Sequence, residues 1–184
     1  MQVVYKSDGQ IEAIRVSSLL VGDTLAEVAS RIKPGMRTID LDRVAETFIR
    51  DHQAEPAFKG YHGFPASLCI SVNAEVVHGI PGKRELKDGD VVSIDCGVNK
   101  GGFFGDSAYS FVIGDVPAKT IELLRVTKRC LMQGVSKAVE GLRIGDISEA
   151  VQDLAETHGF GVVRELVGHG VGLKLHEKPE VPNF

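Results

Sequence analysis

The sequence is poor in cysteine, which excludes a disulfide-stabilised scaffold. Its three cysteines, Cys69, Cys96 and Cys130, are an odd number and have neither metal-ligand nor redox spacing. Such usage is typical of a reducing compartment, where structural disulfides are rare. Each cysteine alone is therefore expected to be a small core residue.

Strong charge and long apolar runs are also missing. The formal net charge is -4 and the Lys and Arg residues are scattered, which argues against a nucleic-acid partner. The N-terminus has no basic lead followed by an apolar segment, and no window is long enough to span a membrane. We therefore expect a soluble, cytoplasmic protein with no membrane or direct nucleic-acid partner.

What is present suffices for an ordinary core, since 43% of the 184 residues are hydrophobic. A capping box at Ser7 and Gln10 opens a long helical pattern that ends at the "KPG" of 33–35. Three more helices are predicted: one within 38–55, one over 118–139, and one capped by Asp146. Between them, four runs are typical of strands: "SLCISVN", "AEVVHGI", "DVVSIDCGV" and "SAYSFVIG".

The helical segments contain an internal repeat. Four identical pairs are each separated by 106 residues: Gly35 and Gly141, Arg37 and Arg143, Asp40 and Asp146, His52 and His158. The repeat predicts a duplicated unit, with a first copy over about 7–114 and a partial second over about 115–184. After its second helix the first copy has about 60 residues and the second only about 25, so we expect the second copy to be incomplete.

Two aspartates lie within the predicted strands. A hairpin turning at residues 99–102 places Asp95 directly opposite Asp106, with Cβ atoms about 4.5–5.5 Å apart. Two ionised carboxylates so close need a shared proton, a basic partner or a metal. The alternative is that one terminates a strand and the other lies in a solvated turn. We favour a cation site because both are flanked by apolar strand residues.

Three histidines could complete such a site. His169 lies between glycines, His176 follows seven residues later, and His78 precedes a Pro-Gly turn. Each alone is more typical of a surface or satisfied core residue. Together with the aspartates they form a candidate cluster of two carboxylates, one imidazole ligand and two further imidazoles. This mixed set suits Mn, Fe, Co or Zn, and bridging carboxylates suit two ions.

Three segments now carry a resemblance to a known family. "GYHGFPASLCISVNAEVVHGIPG", the pair "SIDCG" and "GFFGDSAYSFVIG", and "VVRELVGHGVGLKLHEKPEVPNF" resemble type I methionine aminopeptidase, of the pita-bread metallopeptidases. The likeness runs from near residue 3 to Phe184. It implies an α/β pita-bread fold: a duplicated helix-plus-antiparallel-sheet unit forming a single catalytic domain over 1–184, truncated at its C-terminus.

The resemblance also implies a metallo-aminopeptidase that removes the N-terminal methionine by means of a metal-activated water. In the family's pattern Asp95 chelates one ion, Asp106 bridges two and His169 ligates the other. His78 and His176 contact the scissile amide and stabilise the tetrahedral intermediate.

The implied partners follow from this activity. Tyr61, Phe64 and Cys69 match positions that line the methionine pocket, where a thioether suits aromatic rings and a thiol. The implied cofactor is two divalent ions, Co, Mn, Fe or Zn. The partners are the N-terminal methionine of peptides and nascent chains, and the family allows association with the ribosome.

The sequence departs from the family's pattern in two ways. The family has two further glutamate ligands downstream of Phe184, and Glu165, Glu177 and Glu180 match neither. We therefore expect this chain alone to bind two metals poorly and to hydrolyse little. Leu175 also replaces the usual aromatic residue before the "HE" pair, which would loosen the methionine pocket.

Three other interpretations stay open. A non-catalytic pita-bread binding protein would share the fold but should have lost several of the site residues. A prolidase or Xaa-Pro aminopeptidase would also share it, but usually carries a large preceding domain. A purely structural α/β domain leaves the aspartate pair unexplained.

Overall fold

The computed structural model describes residues 3–184, which group into two compact units. We call them the sheet unit and the helix-pair unit. The sheet unit contains residues 4–116 and 171–176, and the helix-pair unit contains Val3, residues 117–170 and residues 177–184.

Two helices open the sheet unit, as predicted. Helix α1, Asp8–Arg31, begins with the expected capping box, in which Ser7 Oγ accepts from the Gln10 amide and Gln10 Oε1 accepts from the Ser7 amide. The "KPG" turn ends it, with Gly35 at a φ of +84°. Helix α2 follows at Thr38–Asp51.

A four-stranded antiparallel sheet makes up the rest of this unit. Its strands are β1 (Glu55–Pro56), β2 (Leu68–Val72), β3 (Val91–Lys100) and β4 (Phe103–Val112). The long strand β3 pairs with β4 along one edge and with both β2 and β1 along the other. Three of the four predicted strand segments are confirmed.

The fourth predicted strand, "AEVVHGI" at 74–80, is wrong, because this segment is a loop. A positive φ of 59° at His78 breaks the extended conformation that a strand needs. The loop also crosses close to β2, where the Ile70 amide donates to Gly79 O at 2.8 Å. A Cβ at Gly79 would lie 2.2 Å from Ile70 O, so only glycine fits this approach.

The core of the sheet unit joins α1, α2 and the sheet, and each fully buried aliphatic side chain stabilises it by about 1.5–3 kcal/mol. Ser17 Oγ of α1 donates to Phe103 O at 2.9 Å. A Cβ at Gly105 would lie 2.6 Å from Ser18 N, so glycine at 105 lets the helix reach the sheet. The buried members include Leu20, Val21, Leu25, Val28, Leu41, Ala45, Ile49, Ile94, Cys96 and Val98.

The helix-pair unit contains α3 (Ala118–Lys137), α4 (Ile144–Thr157) and a short hairpin of β5 (Gly168–Gly170) and β6 (Glu177–Val181). Val126, Cys130 and Ala155 form its buried centre. All three cysteines of the chain are buried and free, as expected.

The predicted cap of α4 is wrong by three residues. The helix begins at Ile144, so Asp146 is its third residue, and Asp146 Oδ2 accepts from the Arg143 amide at 2.6 Å. A carboxylate in the first turn satisfies an otherwise unpaired amide, which explains why it resembles a cap in the sequence. None of the helices within residues 3–184 combines the length and low polarity that crossing a membrane requires.

Candidate active site

The hairpin of β3 and β4 positions the two aspartates, but its register differs from the prediction. Asp95 pairs with Ala108, and Asp106 pairs with Gly97, so the aspartates are diagonal rather than direct neighbours. The turn is a tight two-residue one at Gly101 and Gly102, with φ of +61° and +84°. Positive φ at both positions matches the twist of paired strands, and this shifts the pairing by two residues. A shift of two preserves the face, so both side chains still lie on the same side of the sheet.

The two half-buried carboxyl groups interact directly. Burial raises the pKa of Asp95 to about 7, with the negative charge of Asp106 and a hydrogen bond between the two carboxyl groups adding to the rise. Burial also raises the pKa of Asp106. A hydrogen bond between two carboxyl groups requires a proton on one of them, so the pair holds one proton near neutral pH.

Cys69 lies next to this pair, because β2 places it directly across from Asp95. Burial, followed by the charges of Asp95 and Asp106, raises the pKa of Cys69 to about 12. The thiol is therefore neutral at physiological pH and acts as a small polarizable wall rather than a nucleophile.

A buried carboxylate in α2 fixes the start of β2. Asp42 Oδ1 accepts from the amides of Ser67 and Leu68 at 2.9 and 2.8 Å. Burial raises the pKa of Asp42, and the two backbone donors act in the opposite direction. Asp42 thus ties α2 to the residue that precedes Cys69, a contact between distant segments that the sequence analysis missed.

An apolar cluster surrounds Cys69. Leu175 reaches it from the 171–176 segment, which is attached to β4 by a bond from the Phe104 amide to Gly172 O at 2.9 Å. Phe58 packs over Gly97, where a Cβ would lie 2.5 Å from the Phe58 ring. The members of this cluster are Ala57, Phe58, Phe64, Cys69, Phe104 and Leu175.

Phe64 and Cys69 were predicted to line a pocket, and the structure places both in this cluster. Phe58 and Phe104 were not predicted. The one available signal was Gly97, since a glycine inside a strand indicates that another group approaches the backbone closely.

Two of the predicted histidines belong to the sheet unit. The positive charge of His78 lowers the pKa of Asp95, which indicates that His78 lies near the carboxyl pair. Its loop is fixed by a bond from the Gly79 amide to Ser71 Oγ at 3.1 Å. His176 Nδ1 lies 2.9 Å from the Tyr61 hydroxyl, and the two rings stack with centroids 5.3 Å apart.

His169 belongs to the helix-pair unit, on β5 opposite Glu180. Its Nδ1 donates to Gly170 O at 3.1 Å. The structure therefore brings together two of the three predicted metal ligands, Asp95 and Asp106, within one unit. Over residues 3–184 it contains no group of three or more His, Cys, Asp or Glu side chains arranged to hold a metal ion.

Comparison with known proteins identifies the class. The sequence model of metallopeptidase family M24 matches residues 12–184. The prolidase from Pyrococcus furiosus has a TM-score of 0.86 at 22% identity, over 97% of this chain and 52% of the prolidase, and so shares the fold. This α/β fold, with its antiparallel sheets, is the pita-bread fold that the resemblance implied.

Closer relatives narrow the class further. The methionine aminopeptidase of Clostridium perfringens is 48% identical over 182 residues, which cover 99% of this chain and 73% of the relative. The crystal structure of methionine aminopeptidase from Thermotoga maritima has a TM-score of 0.96 at 38% identity, over 100% of this chain and 74% of that one. This chain belongs to the methionine aminopeptidases of metallopeptidase family M24, which confirms the resemblance seen in the sequence.

Proposed function

We propose that this chain removes the N-terminal methionine from peptides and nascent polypeptides by metal-assisted hydrolysis. One observation carries the proposal: the interacting carboxyls of Asp95 and Asp106 lie beside Cys69, which belongs to a mostly apolar cluster. Hydrolysis of a terminal peptide bond needs an ion-binding group and a side-chain pocket next to each other. This arrangement supplies both within the sheet unit.

The carboxyl pair fits a divalent cation. Two neighbouring carboxylates repel, and here burial and repulsion leave a proton on the pair near neutral pH. A divalent cation would replace that proton and neutralise both charges. We propose Asp95, Asp106 and His169 as ligands of two ions of Mn, Fe, Co or Zn. Bound there, such ions lower the pKa of water and make it nucleophilic near neutral pH.

The apolar cluster is proposed to bind the methionine side chain. Phe58, Phe64 and Leu175 supply an apolar wall, and the neutral Cys69 thiol supplies a polarizable one. A thioether gains favourable contacts with sulfur and aromatic edges, which a charged or strongly polar side chain would not. Leu175 occupies less volume than an aromatic residue would, so we expect this pocket to accept side chains somewhat larger than methionine.

The two histidines of the sheet unit are proposed to handle the reacting amide. His78, close to Asp95 and on a backbone with positive φ, would contact the scissile amide nitrogen. His176 would donate a hydrogen bond to the carbonyl oxygen as negative charge develops there. Tyr61 would border the same substrate. These contacts stabilise the transition state more than the ground state, which is the condition for catalysis.

We further propose that both units belong to one catalytic pita-bread domain. Helices α2 and α4 begin and end at positions separated by 106 residues, which supports a duplicated motif. We place the reaction in the cytoplasm, on the N-termini of nascent chains at or near the ribosome.

The test is release of methionine from Met-Ala-Ser by the pure protein with Mn²⁺ or Co²⁺, with metal binding followed in parallel by calorimetry. We expect release that depends on metal but is slow, because Asp95, Asp106 and His169 are few ligands for two ions, and we expect no cleavage of Glu-Ala-Ser. Preferred cleavage of an Xaa-Pro peptide would indicate a prolidase-like specificity instead. Binding of metal and peptide without any cleavage would indicate a non-catalytic binding protein.

A further inference from the structure

Tyr61 makes a contact that lining a pocket does not require. Its hydroxyl lies 2.9 Å from His176 Nδ1, and its ring stacks on the imidazole at an interplanar angle of 23°. The residue is 39% exposed and is not a member of the apolar cluster that includes Phe64 and Cys69. The hydroxyl and the stacked face of Tyr61 are therefore directed to His176.

The backbone holds Tyr61 in this position. The chain enters the turn through Gly60, whose φ of +86° favours glycine. The Tyr61 amide donates to Phe58 O at 3.0 Å, and the Phe64 amide donates to Tyr61 O at 2.9 Å. Because both the amide and the carbonyl of Tyr61 form backbone hydrogen bonds, the backbone position from which its side chain extends is fixed.

The chemistry of the two groups sets the direction of their hydrogen bond. A neutral imidazole has one nitrogen that carries a proton and one that accepts. A phenol is a better proton donor than acceptor, and an imidazole lone pair is the stronger acceptor of the two. The favoured arrangement therefore has the Tyr61 O–H donating to Nδ1, which leaves the imidazole proton on Nε2.

We propose that Tyr61 is a positioning residue that holds His176 in the Nε2-protonated tautomer and fixes the plane of its ring. The inference rests on the proposed function, in which His176 donates a hydrogen bond to the substrate carbonyl oxygen. The carbonyl oxygen needs a hydrogen-bond donor that is already protonated when the substrate binds. The Nε2-protonated tautomer of His176 supplies this donor. Tyr61 borders the substrate but is not proposed to touch the reacting amide, so its effect on the chemical step is exerted through His176.

The direct test is nuclear magnetic resonance of the imidazole nitrogens in metal-free protein at about pH 8, where an ordinary histidine is neutral. The protonated and unprotonated nitrogens of an imidazole resonate at well-separated frequencies. His176→Gln assigns the signals. We expect one tautomer, with the proton on Nε2, in the wild-type protein and a mixture of tautomers in Tyr61→Phe. Tyr5→Phe removes a hydroxyl from a residue that is 91% exposed and should change nothing.

A kinetic comparison tests the consequence. Tyr61→Phe keeps the stacked ring and loses one hydrogen bond, so kcat for Met-Ala-Ser should fall roughly three- to tenfold, with KM and the preference for methionine unchanged. Tyr61→Leu, which also loses the ring, should lower kcat further. Tyr5→Phe should match the wild type.

The outcomes separate this inference from the proposed function. A wild-type protein that releases no methionine would contradict the proposed function, while the resonance experiment still decides the tautomer. A mixture of tautomers or an Nδ1-protonated ring in the wild type would overturn the inference. So would a Tyr61→Phe spectrum identical to that of the wild type.

Discussion

The two units contain the same helical motif in different surroundings. Helices α1 and α2 of the sheet unit correspond to α3 and α4 of the helix-pair unit. Both ends of α2 and α4, and the C-terminal ends of α1 and α3, are separated by 106 residues, whereas α3 begins 110 residues after α1. The ends of α2 and α4 also match in detail. His52 Nδ1 lies 2.8 Å from Phe48 O, and His158 Nδ1 lies 2.9 Å from Leu154 O.

The two units differ in which residues of the longer helix are buried, and these residues form rows of side chains four positions apart. The row formed by Leu20, Thr24 and Val28 is buried in α1, and its counterpart, Val126, Cys130 and Gly134, is buried in α3. The neighbouring row, Ser17, Val21 and Leu25, is also buried in α1, where Ser17 contacts β4. Its counterpart, Leu123, Thr127 and Leu131, is exposed.

In both units the packing of the two helices buries one row of the longer helix. In the sheet unit, contact with the sheet buries a second row. Leu25 is 8% exposed and Leu131 is 61% exposed, although both are leucines at equivalent positions of a helix. The sheet that buries Leu25 also holds the carboxyl pair on its other face. Burial of α1 and positioning of the site therefore depend on the same strands.

The largest expected effect concerns the carboxyl pair, which only the sheet unit has. Asp106→Asn keeps the size of the side chain and removes a proposed bridging ligand, so methionine release should fall at least about a hundredfold and metal affinity should fall with it. Activity assays and calorimetry measure the two quantities. Asp153→Asn on the exposed surface of α4 is the matched control and should stay within twofold of the wild type. Equal activity in both variants would rule out Asp106 as a ligand.

The second prediction compares equivalent leucines. Leu25→Ala should lower the free energy of unfolding by about 3–4 kcal/mol, because it leaves a cavity between α1 and the sheet. Leu131→Ala should change it by less than about 0.5 kcal/mol, because that side chain is already largely in water. Urea denaturation of both variants measures the difference. Similar losses would mean that Leu131 is buried in solution.

The third prediction concerns pH. Asp95 keeps its proton up to about pH 7 in the folded protein, whereas its ordinary value is 3.8. Between those values the folded state binds more protons than the unfolded state, so this group's contribution to the free energy of unfolding falls as pH rises from about 4 to about 7. Metal-free protein should lose up to about 4 kcal/mol from this source, since each unit of pKa change corresponds to about 1.36 kcal/mol.

The double variant Asp95→Asn, Asp106→Asn isolates that loss. It lacks both titrating groups, so its free energy of unfolding should not fall with pH in this way. Relative to the metal-free wild type, the variant should therefore become more stable as pH rises toward 7. Denaturation at a series of pH values measures this difference in stability. A difference that stays constant with pH would show that the pair ionises at its ordinary values. Added Mn²⁺ should raise the free energy of unfolding of the wild type and not that of the double variant, since bound metal stabilises the folded state.

Features with local causes were predictable from the sequence. The capping box of α1, the stop at Gly35 and the helical spacing of α2 depend on residues three or four positions apart. The same holds for the common face of Asp95 and Asp106, because strand alternation is a local property. The exact pairing was not predictable, because the choice between a two-residue and a four-residue turn shifts the register without changing the local pattern.

The sequence by itself determined the helices, three of the four long strand segments, the internal repeat and the family, since each depends on short-range periodicity or on an ordered set of motifs. Tertiary structure alone decided that Phe58 packs over Gly97, that Asp42 holds the start of β2, and that Tyr61 binds His176 across 115 positions of chain. Such contacts join residues that are distant along the chain. Their partners are set by how the sheet, the turn and the 171–176 segment pack, which no local pattern encodes.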